Sequence, residues 1–235
     1  MTENKTDNKE RPKKIRRIFE SIAFRYDLLN HLLSFGLDFY WRKKALKLTG
    51  VGKETILLDI ACGTGDFAAE ARKQGVRQIM GADFSFNMLK LFNEKSDWIK
   101  GKNFQTVAEF IPLKDETVTN ITVAFGVRNF YNIPAAFKNF NRVLKKNGKV
   151  TILEFRLPEK RFLKFVYNSY FKYILPAVGG FISRDYEAYK YLPESVEEFD
   201  KKVNLVELLR EAEFGEIKRY SLTLGIVQVV IGHKP

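Results

Sequence analysis

The chain has 235 residues, 45% of them hydrophobic, and 40 Lys and Arg against 28 Asp and Glu, for a net charge of +12. That much apolar material builds a core and excludes a chain that is disordered beyond its tail. One cysteine, Cys62, excludes an intrachain disulfide framework, two distant histidines, His31 and His233, argue against a structural zinc site and for no metal, and no apolar run approaches the roughly 20 residues of a membrane span.

In chain order, the polar N-terminus lacks a signal-peptide core, so residues 1–12 read as a flexible tail before a single domain over 13–235 in a reducing, cytoplasmic setting. Residues 13–48 read as a basic helical cover, with Gly36 separating helices at Phe19–Leu33 and Phe39–Leu48. Thr55–Ala61 is apolar on both faces, the mark of a buried parallel strand. A glycine turn and a helix over Asp66–Gln74 follow, then a strand at Gln78–Ala82 ending on Asp83, and a helix capped by Ser85. Strands are expected at Phe104–Val107, Asn120–Phe125 and Lys149–Phe155, with a helix over Ala135–Leu144. Residues 160–200 read as an aromatic helical insert, helical from Phe162 to Tyr191. Val203–Ala212 is a further helix, and Glu216–Leu222 and Ile226–Ile231 form an antiparallel pair around Leu224-Gly225. The alternation argues an α/β fold on an open sheet.

The chemistry concentrates in Leu58-Asp59-Ile60-Ala61-Cys62-Gly63-Thr64-Gly65-Asp66, between a strand and a helix. Gly63 and Gly65 let the backbone turn tightly beneath a ligand, and the helix start offers free N–H groups. Asp66 would repel a pyrophosphate and favours a ligand carrying an ammonium or sulfonium. Asp83 can accept two ribose hydroxyls. Asp59 can orient the loop or meet a cationic amino-acid end. Cys62 has no histidine near it in sequence and reads as loop packing.

Four separated segments, spanning about Ile15 to Gly232, resemble one family. These are Tyr26-Asp27-Leu28-Leu29-Asn30 continuing to Trp41, Phe125-Gly126-Val127-Arg128-Asn129, Arg142–Gly148 ending in Glu154-Phe155-Arg156, and Tyr189–Ser195. They resemble the class I S-adenosylmethionine methyltransferases of menaquinone and ubiquinone biosynthesis. Asp38 stands where that family usually has His, and Arg156 where it has Ser. The resemblance implies a class I methyltransferase (Rossmann-like) fold: a seven-stranded, mostly parallel sheet with an antiparallel C-terminal strand, a helical N-terminal cover and a helical insert before the last strands. It implies S-adenosyl-L-methionine as cofactor, held by Thr64, Asp83, the pair Val107-Ala108 and the loop of Gly63 and Gly65, to which the residues themselves add Asp59 and Asp66, with Tyr26 closing the pocket from the N-terminal helix. Val107 stands where the family has Asp or Asn, and Glu109 is positioned to substitute.

The same resemblance implies C-methylation of a prenylated quinol, demethylmenaquinol above all, with a ubiquinone precursor or a catalytically impaired quinone-binding protein as alternatives. Arg128 would stabilise a developing phenolate and position a water, Asn129 would orient a ring oxygen, and Asp27 would serve as proton acceptor. A nicotinamide oxidoreductase shares the glycine turn but is disfavoured by Asp66. A nucleic-acid partner is not expected, because the basic residues are dispersed and no recognition motif accompanies them. A homodimer stays open. A quinol with a prenyl tail lives in the bilayer, so a transient contact with an anionic membrane surface is expected. In Arg161–Ile174, helical spacing puts Lys164, Asn168 and Lys172 on one stripe and Phe162, Phe165, Val166, Tyr170, Tyr173 and Ile174 mostly opposite. Packing of that aromatic face on the sheet or around the prenyl tail remains the alternative. The basic run Arg11–Arg17 offers a second contact.

Overall fold

Strand β1 (Ile56–Ile60), paired in parallel along both edges, lies inside the sheet. A computed structural model describes residues 30–170, 173 and 186–235 together with Arg17, Glu20 and Asp27, and residues 186–192 by backbone alone. The expected tail, most of the Phe19–Leu33 helix, Tyr26, Lys172 and Ile174 lie outside the described residues. Leu57 of β1 faces one buried cluster and Leu58 and Ile60 face the other, so the unbroken apolar run serves two cores at once.

The seven strands are β1, β2 (Gln78–Asp83), β3 (Asn103–Gln105), β4 (Val118–Ala124), β5 (Leu144–Phe155), β6 (Gly215–Leu222) and β7 (Val227–His233). Their order is β3-β2-β1-β4-β5-β7-β6. β3, β2, β1, β4 and β5 pair in parallel, and β7 runs antiparallel to both β5 and β6. Among the described residues the α-helices include α1 (Leu37–Thr49), α2 (Asp66–Lys73), α3 (Phe86–Lys95), α4 (Ile133–Val143), α5 (Arg161–Ser169), α6 (Tyr186–Lys202) and α7 (Leu205–Glu211), and residues 30–33 are helical ahead of them. Residues of α1, α2 and α3 fill one core, and those of α4, α6 and α7 fill the other. The result is a three-layer sandwich of the expected class.

Local chemistry fixes most boundaries. Gly36 (φ +73) and Gly50 (φ +75) bracket α1, and the Ser85 hydroxyl accepts the Met88 N–H at the start of α3. Asn204 caps α7 in the same way. Two expectations shift. β5 begins at Leu144 rather than Lys149, because Leu144 already pairs with Val118 and the chain bulges, with Asn147 at φ +62, before Lys149 meets Asn120. The helix expected to end at Tyr191 runs through Pro193 to Lys202; its last turns carry Lys201–Glu197 and Lys202–Glu198 ion pairs at 2.6 and 3.0 Å. Trp41 Nε1 donates to Thr223 Oγ1 at 2.7 Å, tying α1 to the turn between β6 and β7.

Candidate active site

A cleft opens at the carboxyl edge of the parallel strands, where the order reverses between β1 and β4 and open α/β sheets take their ligands. It encloses about 390 Å³ open to solvent and is lined by Ile60, Ala61, Ala82, Asp83, Thr106, Val107, Ala108, Glu109, Asn129, Phe130 and Tyr131, with Phe84. Asp83, Val107, Ala108 and Asn129 are thus brought together as the sequence suggested. Glu109 is also there, with Oε1 accepting the Asn132 N–H at 2.8 Å.

The loop below the cleft is shaped by its glycines. Gly63 has φ +54 and Gly65 φ +90. A Cβ on Gly65 would stand 2.1 Å from the buried Phe92 ring, so no other residue fits without moving that ring. Gly63 N–H donates to Asp83 Oδ2 at 2.9 Å and Ser85 N–H to Asp83 Oδ1 at 2.8 Å, which fastens the loop to the end of β2. Burial pushes the Asp83 carboxyl up to about 6 in spite of these bonds. Asp59 is fully buried within the sheet beneath the loop, where Thr122 Oγ1 donates to its Oδ1 at 2.7 Å. Burial, against that bond, pushes it up to about 7. Cys62 is buried, and desolvation raises its thiol, in keeping with packing rather than nucleophilic chemistry.

Thr64, Asp66 and Asp27 gather in a second group at the start of α2. Thr64 Oγ1 donates to Asp27 Oδ1. Lys95 Nζ donates to Asp27 Oδ2 at 2.7 Å and to Asp66 Oδ1 at 2.9 Å. Burial alone would lower the Lys95 pKa, but the two carboxylates outweigh it and raise it. Asp66 Oδ2 lies 3.6 Å from His31 Nε2 and 3.9 Å from Arg42 Nη2. Behind it, Asp38 takes Arg42 Nη1 at 2.5 Å, His31 Nδ1 at 2.7 Å and the Ser34 hydroxyl at 2.7 Å. Burial works against the Asp38 carboxylate, yet these partners hold its pKa below the ordinary value. Among the described residues, His31, Asp38 and Asp66 bring ligating atoms within 4.8 Å of one another, and Arg42 and Lys95 supply positive charge there.

Arg128 forms a third group on the turn after β4. Its Nη1 donates to Phe125 O at 2.5 Å and to Glu154 Oε1 at 2.8 Å, and its guanidinium lies 5.9 Å from the Phe155 ring centroid. Glu154 is completely buried, and Tyr167 of α5 is buried within the electrostatic reach of Arg128, Glu154 and Asp200. The sequence reading gave no role to Lys95, Glu154, Tyr167 or the His31–Asp38–Arg42 trio. Glu154 carried a signal, a lone acid within the apolar run Val150–Phe155. Lys95 carried none, since a lysine in the last turn of a helix is ordinary.

Comparison with known proteins adds to this geometry. The model of the ubiE/COQ5 methyltransferase family matches residues 5–234. A ubiquinone/menaquinone biosynthesis C-methyltransferase of Geotalea uraniireducens is 39% identical over 231 residues, covering 96% of this chain and 98% of that protein. Demethylmenaquinone methyltransferases of Thermus thermophilus and Porphyromonas gingivalis are 37% and 36% identical, covering 93% and 94% of this chain and 100% and 92% of theirs. Among solved structures, a putative S-adenosyl-L-methionine-dependent methyltransferase of Methanococcus maripaludis superposes with a TM-score of 0.64 at 19% identity, covering 100% of this chain and 97% of that one. Phosphoethanolamine N-methyltransferase 2 of Haemonchus contortus, in complex with S-adenosyl-L-methionine, gives 0.57 at 15%, covering 83% and 52%. At those identities the structural likeness speaks for the fold.

Proposed function

The chain belongs to the ubiE/COQ5 methyltransferase family, and from that premise we propose that its cleft binds S-adenosylmethionine beside a prenylated quinol whose ring carbon it methylates. It is an S-adenosylmethionine-dependent C-methyltransferase acting on a quinone-pathway substrate. The observation that carries the site reading is Asp83, an acceptor 5% exposed at the end of β2 and facing the cleft. Its carboxylate suits two ribose hydroxyls, and the small apolar walls of Ala61, Ala82, Val107 and Ala108 suit an adenine, so the residues present fit the cofactor. The bound cofactor supplies an electrophilic methyl group on a sulfonium.

The protein's own part is alignment and charge. Asn129, on the cleft wall, orients the quinol oxygen next to the reacting carbon. Arg128, fixed by Phe125 O and Glu154, lends positive potential where that oxygen becomes anionic. Both carboxylate oxygens of Asp27 are engaged by Thr64 and Lys95, which favours a clasp over a proton acceptor for that residue and leaves water in the open cleft to take the hydroxyl proton and carry off the ring proton that the methyl group replaces. Demethylmenaquinol is the substrate we favour, in line with the names of the Thermus and Porphyromonas relatives. The test is incubation with S-adenosylmethionine and a prenylated demethylnaphthoquinol under reductant. A ring-methylated product from the quinol and none from the oxidised quinone supports the reading. No product from any demethylated quinol sinks it.

The same reading keeps the chain at the inner face of the cytoplasmic membrane, touching it through α5. No helix among the described residues is long and apolar enough to cross a bilayer. Phe162 and Phe165 are 75% and 72% exposed, Val166 is exposed beside them on one face of α5, and Tyr173, beyond the end of α5, is exposed as well. Leu163, Tyr167 and Tyr170 turn inward, with Tyr170 donating from its hydroxyl to Leu33 O at 2.6 Å. Exposed Arg161 and Lys164 flank the outer face, each worth on the order of 1 kcal/mol beside anionic headgroups. Sedimentation with vesicles containing anionic lipid should weaken with salt and with Lys164→Glu. Sedimentation indifferent to both, with a homodimer forming in lipid-free solution, would reassign the face to self-association.

A further inference from the structure

At the far end of the glycine loop from the cleft, one carboxylate sits between a hydroxyl and an ammonium. Asp27 Oδ1 accepts from Thr64 Oγ1, and Asp27 Oδ2 accepts from Lys95 Nζ at 2.7 Å. The two donors do not depend on Asp27 for their position. Thr64 belongs to the loop itself, 3% exposed. Lys95 closes α3 and is anchored by Asp66 Oδ1 at 2.9 Å, with Thr64 Oγ1 3.2 Å from its Nζ. The N-terminus of α2 at Asp66 adds positive potential from its backbone dipoles. Loop and α3 together therefore form a receptor for a carboxylate, and a carboxylate from the N-terminal segment is seated in it. The contrast with Asp83 is chemical: the cleft end of the loop offers an acceptor for hydroxyls, whereas this end offers two donors for an acid.

We propose that Thr64 and Lys95 receive the α-carboxylate at the methionyl end of the cofactor, and that Asp27 is an internal stand-in which that carboxylate replaces. This rests on the adenosyl-cofactor reading given above. The exchange puts one carboxylate in place of another as the acceptor for the Thr64 and Lys95 donors. It also releases Asp27 from the loop, so that cofactor binding and the seating of Asp27 are coupled. Lys95 is then a specificity-determining residue: it separates cofactors that carry an amino-acid end from adenosyl compounds that do not.

Calorimetric titration of the full chain at pH 8 tests this, with S-adenosylhomocysteine and with 5′-methylthioadenosine, which lacks the amino-acid end. Lys95→Met should weaken S-adenosylhomocysteine on the order of tenfold to a hundredfold, the scale of a charge-assisted hydrogen bond. It should leave 5′-methylthioadenosine within about twofold, because that ligand never reaches the receptor. Lys95→Arg should restore most of the lost affinity, and Asp27→Asn should tighten S-adenosylhomocysteine by removing its charged competitor. Equal weakening of both ligands by Lys95→Met, or weaker S-adenosylhomocysteine binding in Asp27→Asn, overturns the proposal. If Lys95→Met does not fold, Asp27→Asn still decides the exchange. Failure of the wild-type chain to bind either ligand overturns the adenosyl-cofactor reading instead.

Discussion

Replacing Asp83 by Asn separates what the carboxylate costs the fold from what it does for binding. Its carboxyl stands at about 6, raised chiefly by burial. Against an ordinary value near 3.9, about two pK units at about 1.4 kcal/mol each means that ionised Asp83 withholds roughly 3 kcal/mol of stability at pH 8. Asn removes that penalty but can accept only through one atom. Either the Gly63 or the Ser85 N–H then faces an NH2 group, a loss of about 1.5–3 kcal/mol. The two effects nearly cancel, so urea unfolding of D83N without ligand should lie within about 1–2 kcal/mol of wild type. Binding has no such offset. One ribose hydroxyl loses its charged acceptor, and titration with S-adenosylhomocysteine should show affinity falling by about tenfold to a hundredfold. Unchanged affinity would refute the ribose assignment. An affinity loss matched by a collapse of stability would refute the separation of the two roles.

The pH dependence follows with a definite sign. An acid whose folded pKa is raised contributes stability that is complete below its unfolded value and lost as pH rises through the folded value, so lowering pH from 8 towards 5 should make wild type gain on D83N in unfolding experiments. Cofactor binding needs the anion, so wild-type affinity should fall as pH drops through about 6, and the D83N titration should lack that step. Arg128→Ala should lower turnover far more than cofactor affinity; equal losses in rate assays and titrations would remove Arg128 from the reaction centre. Glu154→Leu removes the buried carboxylate that pairs with the Arg128 guanidinium and should cost about 3–5 kcal/mol in denaturant unfolding, whereas an effect below about 1 kcal/mol would show the pair to be dispensable. Gly65→Ala puts a Cβ into the Phe92 ring at φ +90 and should destabilise by about 2–5 kcal/mol; shrinking Phe92 to Leu in the same chain should recover part of it, and strict additivity would deny the contact.

What could be read from the sequence was what repeats or punctuates. β1 announced itself because both its faces are apolar, α3 because Ser85 precedes it, and the β6–β7 pair because Leu224-Gly225 sets a turn before the apolar run of β7. Asp83 was readable because it ends a strand at the ligand edge of a parallel sheet, and Asn129 because it closes the Phe125–Asn129 segment that follows β4 at the same edge. Lys95 was not: its importance comes from α3 crossing the glycine loop, a tertiary event fixed by Phe92 against Gly65, with Lys95 standing 31 residues along the chain from Thr64. The bulge in β5 was equally silent, since the register of Leu144 on Val118 depends on a neighbour strand rather than on the local pattern.

Helix α5 has one further consequence. Tyr167 on its inner side belongs to the surroundings of Arg128, while Phe162 and Phe165 on its outer side face away from the protein. An α-helix with side chains is about 10–12 Å across, so the proposed reaction centre and the proposed lipid surface are separated by little more than one helix thickness. An isoprene unit is only a few ångströms long, on the scale of the chain dimensions set by ordinary covalent geometry. A substrate head group can then reach the site while all but the first units of its tail stay in the hydrocarbon. On this geometry the enzyme has no need to extract its substrate, and its rate should be nearly indifferent to how many isoprene units the tail carries.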